Sequence, residues 1–325
     1  MTLTIDRSET APQAGADKAK PRGGALDPFF EALCFACATL MLATLCWVLV
    51  SLLIGGWPAF HKFGVKFLFI TSWNPVTEVY GAAGPVVGTL ITSFMALVIS
   101  LPIAFGVAVF LVEFCPAVLR RPIGTAVELL AGIPSIVYGM WGLFVLAPWF
   151  ALHVQIPLLT MAKPGSLLEK LTSGIPNGAN ILTASIILAI MILPFTAAVL
   201  RDLMLTVPPQ VRESAYGLGS SNMEVITKVS LPYIKRSAIG AVMLGLGRAL
   251  GETMAVTFII GNSHAFPKNL FDSGSTIAST IANEFSEATT EMHTSALILL
   301  GLVLFLITFA VLAMARALLG RPKVV

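Results

Sequence analysis

Charged side chains are scarce in this sequence. Of its 325 residues, 11% are Asp, Glu, Lys or Arg, and 56% are hydrophobic. Because soluble domains carry about 25% charged residues, this composition excludes an ordinary soluble protein and favours a chain that is solvated by lipid. The mean hydropathy of +0.88 indicates the same environment. A formal net charge of +3 is too small to indicate a nucleic-acid-binding protein.

Motifs for nucleotide binding and for hydrolysis are missing as well. The sequence contains no G-x-x-x-x-G-K-[S/T] phosphate loop, so we expect this chain to bind no ATP by that device. It has no H-E-x-x-H motif, and its four histidines lie outside the apolar segments or at the end of one: His61, His153, His264 and His293. Cys34 and Cys37 have C-x-x-C spacing. Since no second cysteine pair or histidine cluster accompanies them, we interpret them as packing residues.

Long apolar segments dominate what is present. A membrane-spanning helix needs roughly 20 mainly apolar residues. Six segments meet this requirement: 32–54, 85–112, 123–148, 182–200, 237–260 and 294–316. The second contains Pro102, which predicts a kink in one long tilted helix. Residues 1–28 are rich in Ala, Pro, Gly and charge, which is typical of a disordered tail. We therefore predict an all-α polytopic membrane protein with six spans.

The distribution of basic residues predicts how these spans are oriented. With the N-terminus in the cytoplasm, the inner segments hold fourteen Lys and Arg residues and the outer segments hold five. The remaining one, Arg248, lies within a span. Both termini are therefore expected on the cytoplasmic side of the inner membrane. In the outer segment 276–287, Ile277, Ile281 and Phe285 lie near one face of a short predicted helix, which is either a docking surface for an external partner or a cap on the bundle.

The longest inner loop, 201–236, predicts two short helices outside the bilayer. Pro209 suits the first turn of a helix, where its missing N–H costs nothing. Gly217 and Gly219 are expected to end this helix. Ser220, Ser221 and Asn222 are candidate caps for a second helix, which we expect to close at Leu231-Pro232.

The same loop carries a family signature. Glu213, Ser214 and Ala215, followed by Gly219, Val229 and Leu231-Pro232, are similar to the E-A-A-x3-G-x9-I-x-L-P loop of ABC importer permeases, with Ser214 and Val229 as mild departures. The resemblance implies a MetI-like permease core over about 85–316. It also implies that the loop is a coupling helix seated in a cleft of a separate cytoplasmic ATPase. That ATPase is expected in two copies and to carry the ATP and Mg, whereas this chain itself binds no cofactor.

The fifth predicted span contains two charged residues. Arg248 lies near its middle, and Glu252 follows at i+4, close enough in a continuous helix for a local ion pair. Gly247 and Gly251 form a G-x-x-x-G pattern that lets another helix approach closely. One interpretation is a buried ion pair that fixes helix register. The other is that Arg248 helps an oxyanion across the bilayer, because a planar guanidinium matches phosphate oxygens bidentately, with Thr253 as an extra donor.

The run from Gly247 to Val256 resembles the fifth helix of PstC-type phosphate permeases. The run from Leu130 to Gly139 and the triplet Gly88-Thr89-Leu90 resemble the same family. This implies a phosphate path that includes Arg248 and Glu252, a PstA-like second permease subunit and an extracytoplasmic phosphate-binding protein, in a transport subunit that is not an enzyme. Two alternatives stay open: a permease for sulfate, molybdate or another oxyanion, and a carrier driven by an ion gradient.

Overall fold

The computed structural model describes residues 27–162, 165–166 and 174–319. Of the tail predicted for 1–28, all but the last two residues lie outside this range. Apart from one isolated bridge between Asn74 and Val79, the regular structure of the described residues is helical. The helices are α1 Asp27–Phe63, α2 Ala83–Val109, α3 Ala117–Ala131, α4 Ser135–Trp141, α5 Ala147–Phe150, α6 Ile156–Met161, α7 Ile181–Leu205, α8 Pro209–Gly217, α9 Asn222–Glu224, α10 Leu231–Leu250, α11 Met254–Ile259, α12 Ile277–Glu284 and α13 Glu291–Leu319.

Wider π turns continue several of these helices. They follow α2 at Phe110–Phe114, join α4 to α5 at Gly142–Leu146, join α5 to α6 at Ala151–Gln155, and join α9 to α10 at Val225–Ser230. A 3₁₀ turn at Gly64–Leu68 extends α1. Residues 27–50 of α1 belong to a unit separate from the rest of the described chain, and their side chains are almost all exposed.

Within the described residues, five helical segments are long and apolar enough to cross a membrane: Asp27–Leu68, Ala83–Phe114, Ser135–Met161, Ile181–Leu205 and Glu291–Ala317. The predicted fifth span, 237–260, is not among them. Its residues lie in α10 and α11, and the helix is interrupted between Leu250 and Met254. Gly251 stands at the end of α10, where a residue without a side chain weakens the helix.

The predicted third span also contains a break. Residues 123–131 belong to α3, which ends at Ala131. Pro134 has an extended backbone, with φ −57° and ψ 135°, and immediately precedes α4. A proline has no N–H to continue the α3 ladder, and its ring disfavours helix in the preceding residue. The spanning segment is therefore Ser135–Met161, and Pro134 separates two helices instead of kinking one.

The core is built on α2 and α7, which make the most extensive helix contact in the described chain. The face of α2 toward α7 is lined by small residues, among them Ser93, Ala96, Ser100, Ala104 and Ala108, all buried. Small side chains let two helix backbones approach closely in a membrane. Several buried hydroxyls of both helices donate within their own helix, as in the hydrogen bond from Thr196 Oγ1 to the carbonyl of Ile192 at 3.0 Å, whereas the hydroxyl of Ser93 has no hydrogen-bond partner among the described residues.

Candidate translocation site

The cytoplasmic loop folds as a hairpin of two helices. Pro209 is the first residue of α8. Gly219 then has φ +87°, a left-handed conformation that favours glycine, and it turns the chain toward α9. The predicted first helix and glycine turn therefore match the structure. Glu213 and Ser214 are exposed on α8, and Ala215 is half-buried.

The second helix of the hairpin starts with a capping box. The Ser221 hydroxyl accepts from the backbone N–H of Glu224, and the Glu224 carboxylate accepts from the backbone N–H of Ser221 at 3.1 Å. Lys228 donates to Glu224 at 2.9 Å. These contacts, that of Lys228 first and those of Ser221 next, lower the pKa of Glu224 to about 2.

The sequence predicts that this helix closes at Leu231-Pro232, but the structure shows that it does not. It continues through the π turn Val225–Ser230 into α10, and Pro232 lies in the first turn of α10. A π turn locally replaces the i−4 hydrogen-bond pattern of an α-helix. This turn ends at Ser230, two residues before Pro232, which has no N–H to donate. The hairpin is therefore joined without a break to the helix that carries Arg248.

Arg248 lies in the last turn of α10, and its side chain is exposed in this chain. Its guanidinium carbon stands 5.7 Å from the centroid of the Phe195 ring on α7. An arginine at membrane depth normally faces a cavity or a partner. An interrupted backbone at that depth is also tolerated only inside protein or along a water-filled cavity. The exposed Arg248 and the break after Leu250 thus both indicate a surface that faces a cavity or a protein partner.

The predicted ion pair between Arg248 and Glu252 is absent from the structure, which describes both residues. Because α10 ends at Leu250, Glu252 lies in the break and no longer one turn above Arg248 on the same helix. Its Oε1 accepts instead from the backbone N–H of Ala255 at 3.2 Å, in the first turn of α11. Thr253 precedes α11, and its hydroxyl donates to the carbonyl of Gly251 at 3.4 Å.

The predicted packing glycines do not bring another helix close within the described chain. A Cβ on Gly247 would lie 3.8 Å from Leu312, which is ordinary contact, and one on Gly251 would meet only the carbonyl of Gly247. Close approach occurs elsewhere. A Cβ on Gly139 would lie 2.9 Å from the Cα of Ala255, so α4 and α11 pack backbone against backbone.

The two sequence motifs of the third and fifth segments therefore contact each other. Gly139 belongs to the first motif and Ala255 to the second. Tyr138 also donates its hydroxyl to the carbonyl of Leu130 at 3.0 Å, which bridges the break before α4. Ile133 packs on the same buried cluster as Val256. The two interrupted helical segments thus pack against each other through α4 and α11.

In the segment predicted to lie outside the membrane, one carboxylate joins four segments. Glu284, at the end of α12, accepts from Trp73 Nε1 at 2.6 Å and lies 2.7 Å from His264 Nε2 and 2.8 Å from His293 Nε2. Burial by itself raises the pKa of Glu284, but the hydrogen bonds from His264, Trp73 and His293 outweigh it, so the pKa lies below its ordinary value. Sequence reasoning missed this cluster, because its members are far apart in the chain.

The helix α12 packs on the bundle as a cap. Ile277 is fully buried, and its backbone N–H donates to the hydroxyl of Thr89 on α2 at 2.9 Å. Ile281 is half-buried, and only Phe285 of the three predicted apolar residues is exposed, at 58%. Among the described residues, no group of three or more His, Cys, Asp or Glu side chains is arranged to hold a metal ion.

Residues 80–324 match the family model described as binding-protein-dependent transport system inner membrane component. The chain is similar to the phosphate transport system permease protein PstC of Pasteurella multocida, with 55% identity over 274 residues, covering 84% of this chain and 85% of that protein. It is 50% identical to the PstC protein of Mesorhizobium japonicum over 317 residues, covering 98% of this chain and 97% of that protein.

Solved structures share the fold at much lower identity. The crystal structure of a bacterial ABC transporter involved in the import of the acidic polysaccharide alginate matches with a TM-score of 0.54 at 19% identity, over 87% of this chain and 96% of that chain. A structure of a bacterial alginate ABC transporter in complex with a pentasaccharide-bound periplasmic protein matches with a TM-score of 0.56 at 18% identity, over 88% and 96%.

Proposed function

The chain belongs to the family of binding-protein-dependent transport system inner membrane components, and from this premise we propose that it is the permease subunit of an ATP-driven importer of inorganic phosphate. It is a multi-pass protein of the inner membrane and a transport subunit, not an enzyme. ATP and Mg belong to a separate ATPase in this proposal.

One observation carries the assignment of the path: the exposed guanidinium of Arg248 beside an interrupted membrane segment. Placing an arginine at the bilayer centre costs roughly 2.5–3.5 kcal/mol, and a contact with a dehydrated oxyanion offsets that cost. No carboxylate within the described chain pairs with Arg248, so its charge is available to an anion. A single cation does not neutralise a dianion, so Thr253 and donors from a second permease subunit complete the path.

Glu252 has a different role in this path. Its carboxylate is bound to the first turn of α11 through Ala255, where it fixes the break between the two half-helices. It does not attract phosphate, and its negative charge near the path keeps the empty site from binding an anion too tightly.

The hairpin α8–α9 is the proposed contact with two copies of a cytoplasmic ATPase. Its exposed residues include Tyr216, Leu218 at 89% exposure and Met223 at 63%, and an apolar tip of this kind is typical of an interaction surface. Glu213, Ser214, Ala215 and Gly219 form the first half of the hairpin, and Leu231 and Pro232 link it to α10. This contact requires both termini on the cytoplasmic side, with a PstA-like permease beside the chain and a phosphate-binding protein outside.

The direct test is phosphate uptake by the importer reconstituted in vesicles, with this chain, a second permease, the ATPase and the binding protein. Losing a hydrogen bond to a charged group costs about 1.5–3 kcal/mol, so Arg248→Ala is expected to reduce uptake about 10- to 100-fold while leaving assembly intact. Arg236→Ala is the matched control, since Arg236 is also an exposed arginine of α10. Normal phosphate uptake by Arg248→Ala contradicts the assigned path.

The same reconstituted importer distinguishes two alternative functions. Sulfate or molybdate uptake that phosphate does not compete with indicates another oxyanion as cargo. Uptake that follows a proton gradient, and that needs no ATP or ATPase, indicates a gradient-driven carrier.

A further inference from the structure

Within the described chain, Arg212 makes polar contacts between the coupling helix α8 and the ends of the membrane spans. None of the residues of α8 is buried, so no apolar anchor holds this helix against the bundle. Arg212, in its second turn, has a side chain that is only 17% exposed. Its Nη1 lies 3.1 Å from Glu113 Oε1, and its Nη2 donates to the carbonyl of Met204 at 2.5 Å.

The two partners of Arg212 lie at the ends of different spans. Glu113 belongs to the π turn that ends α2, and its side chain is 8% exposed. Met204 lies in the last turn of α7 and is fully buried. Since α2 and α7 form the core pair, a single guanidinium connects the coupling helix to both halves of that core.

Stability alone is a poor reason for such a pair. Desolvating two charges often costs as much as their attraction returns, so a buried ion pair is weak evidence for stabilisation. The Nε of Arg212 and the Oε1 of Glu113 are also buried without a hydrogen-bond partner in the described chain, so their contact at 3.1 Å is an ion pair by distance and not a hydrogen bond. A contact that fixes the position of one element against another is the better-attested use of a buried pair.

Two adjacent residues of α8, Arg212 and Glu213, have different roles. Glu213 is exposed to the cytoplasm, on the side where the proposed ATPase docks, whereas Arg212 is directed at the spans. Among the described residues, no other ion pair links α8 to a membrane span. We infer that Arg212 and Glu113 are positioning residues that carry displacement of the coupling helix into α2, and this inference rests on the proposed function.

The test is the amount of phosphate moved per ATP hydrolysed by the reconstituted importer. Coupling between distant sites is typically worth 5- to 150-fold, so Arg212→Gln and Glu113→Gln are each expected to lower this ratio about fivefold or more while ATP hydrolysis persists. The double variant is expected to be no worse than either single variant, because both remove the same link.

Lys62→Gln is the matched control. The ion pair of Lys62 with Glu78, at 3.2 Å, is exposed and lies outside the hairpin, so its loss is expected to leave the ratio unchanged. If Arg212→Gln does not assemble, Glu113→Gln decides, because it leaves Arg212 and its bond to Met204 in place.

A wild-type ratio in the assembled Glu113→Gln importer overturns the inference. So does a parallel fall of hydrolysis and transport that keeps the ratio constant, because that result describes a purely structural pair. If the wild-type importer hydrolyses ATP and moves no phosphate, the proposed function fails first and the inference fails with it.

Discussion

The guanidinium of Arg248 lies over the ring of Phe195, 5.7 Å from its centroid, and forms no ion pair with Glu252. A cation held over an aromatic face keeps its full charge and its hydrogen-bond donors. A carboxylate partner would occupy those donors. Phe195 on α7 can therefore orient Arg248 toward the path without competing with an anion for it.

Phe195→Leu is expected to weaken transport by displacing Arg248. Cation–π contacts are worth about 0.5–2 kcal/mol, so we expect the KM for phosphate uptake to rise by about 2- to 30-fold. Phe309→Leu is the control, since Phe309 is an exposed aromatic of α13. An unchanged KM in Phe195→Leu shows that the ring does not orient the arginine.

Glu252 is expected to tolerate an amide. Because its Oε1 accepts from the backbone N–H of Ala255, Glu252→Gln keeps the acceptor, whereas Glu252→Ala removes it at a cost of about 1 kcal/mol, as for other helix caps. We predict near-normal thermal stability for the amide and a lower Tm for the alanine variant. Equal destabilisation by both substitutions indicates that the carboxylate charge matters more than the cap.

Local signals explain which parts of the fold the sequence predicts. Pro209, Gly219 and Ser221 act on their immediate neighbours, and the hairpin they predict is the one observed. Hydropathy is averaged over about 20 residues, so it does not reveal the helix breaks at Pro134 and Gly251. The ion pair of Arg248 with Glu252 failed for the same reason, since it assumed a continuous helix.

Long-range contacts lie beyond such reasoning. Arg212 meets Glu113, and Glu284 meets Trp73 and His264, only because separate segments of the chain are packed together. Nothing in the local pattern around any of these residues indicates its partner. The sequence names candidate residues such as Arg248 and Glu252, and the structure shows how these residues are arranged.

Gly139→Ala is expected to destabilise the bundle where the two motifs meet. The added Cβ would lie 2.9 Å from the Cα of Ala255, and backbone cannot move aside as a flexible side chain can. Overpacking of this kind costs about 1–3 kcal/mol, so thermal unfolding should begin at a lower temperature. Gly106→Ala in α2 is the control, because nothing lies within 4 Å of its new Cβ. Equal Tm values for the two variants contradict close packing of α4 on α11.

The cap that α12 forms on the bundle is expected to loosen at low pH, when Glu284 becomes protonated. Its hydrogen bonds with His264, Trp73 and His293 hold its pKa below the ordinary value of 4.5. A carboxyl with a depressed folded-state pKa stabilises the fold above its unfolded pKa, and this contribution is lost as the pH falls through the folded-state pKa. The protection of the backbone amides of 261–293 against hydrogen exchange, taken relative to the intrinsic rate at each pH, should therefore be high at pH 6 and fall below about pH 4.

Glu284→Gln should remove much of that pH dependence while making exchange faster at pH 6, since an amide accepts fewer hydrogen bonds than a carboxylate. Glu287→Gln is the control, because its side chain is exposed in the same outer segment, and it should keep the wild-type profile. The decisive comparison is the difference between wild type and Glu284→Gln. It should be present at about pH 5 and shrink at lower pH, because only the wild-type carboxylate is lost there. A difference that stays constant down to pH 3 means that other groups control the acid response of the cap.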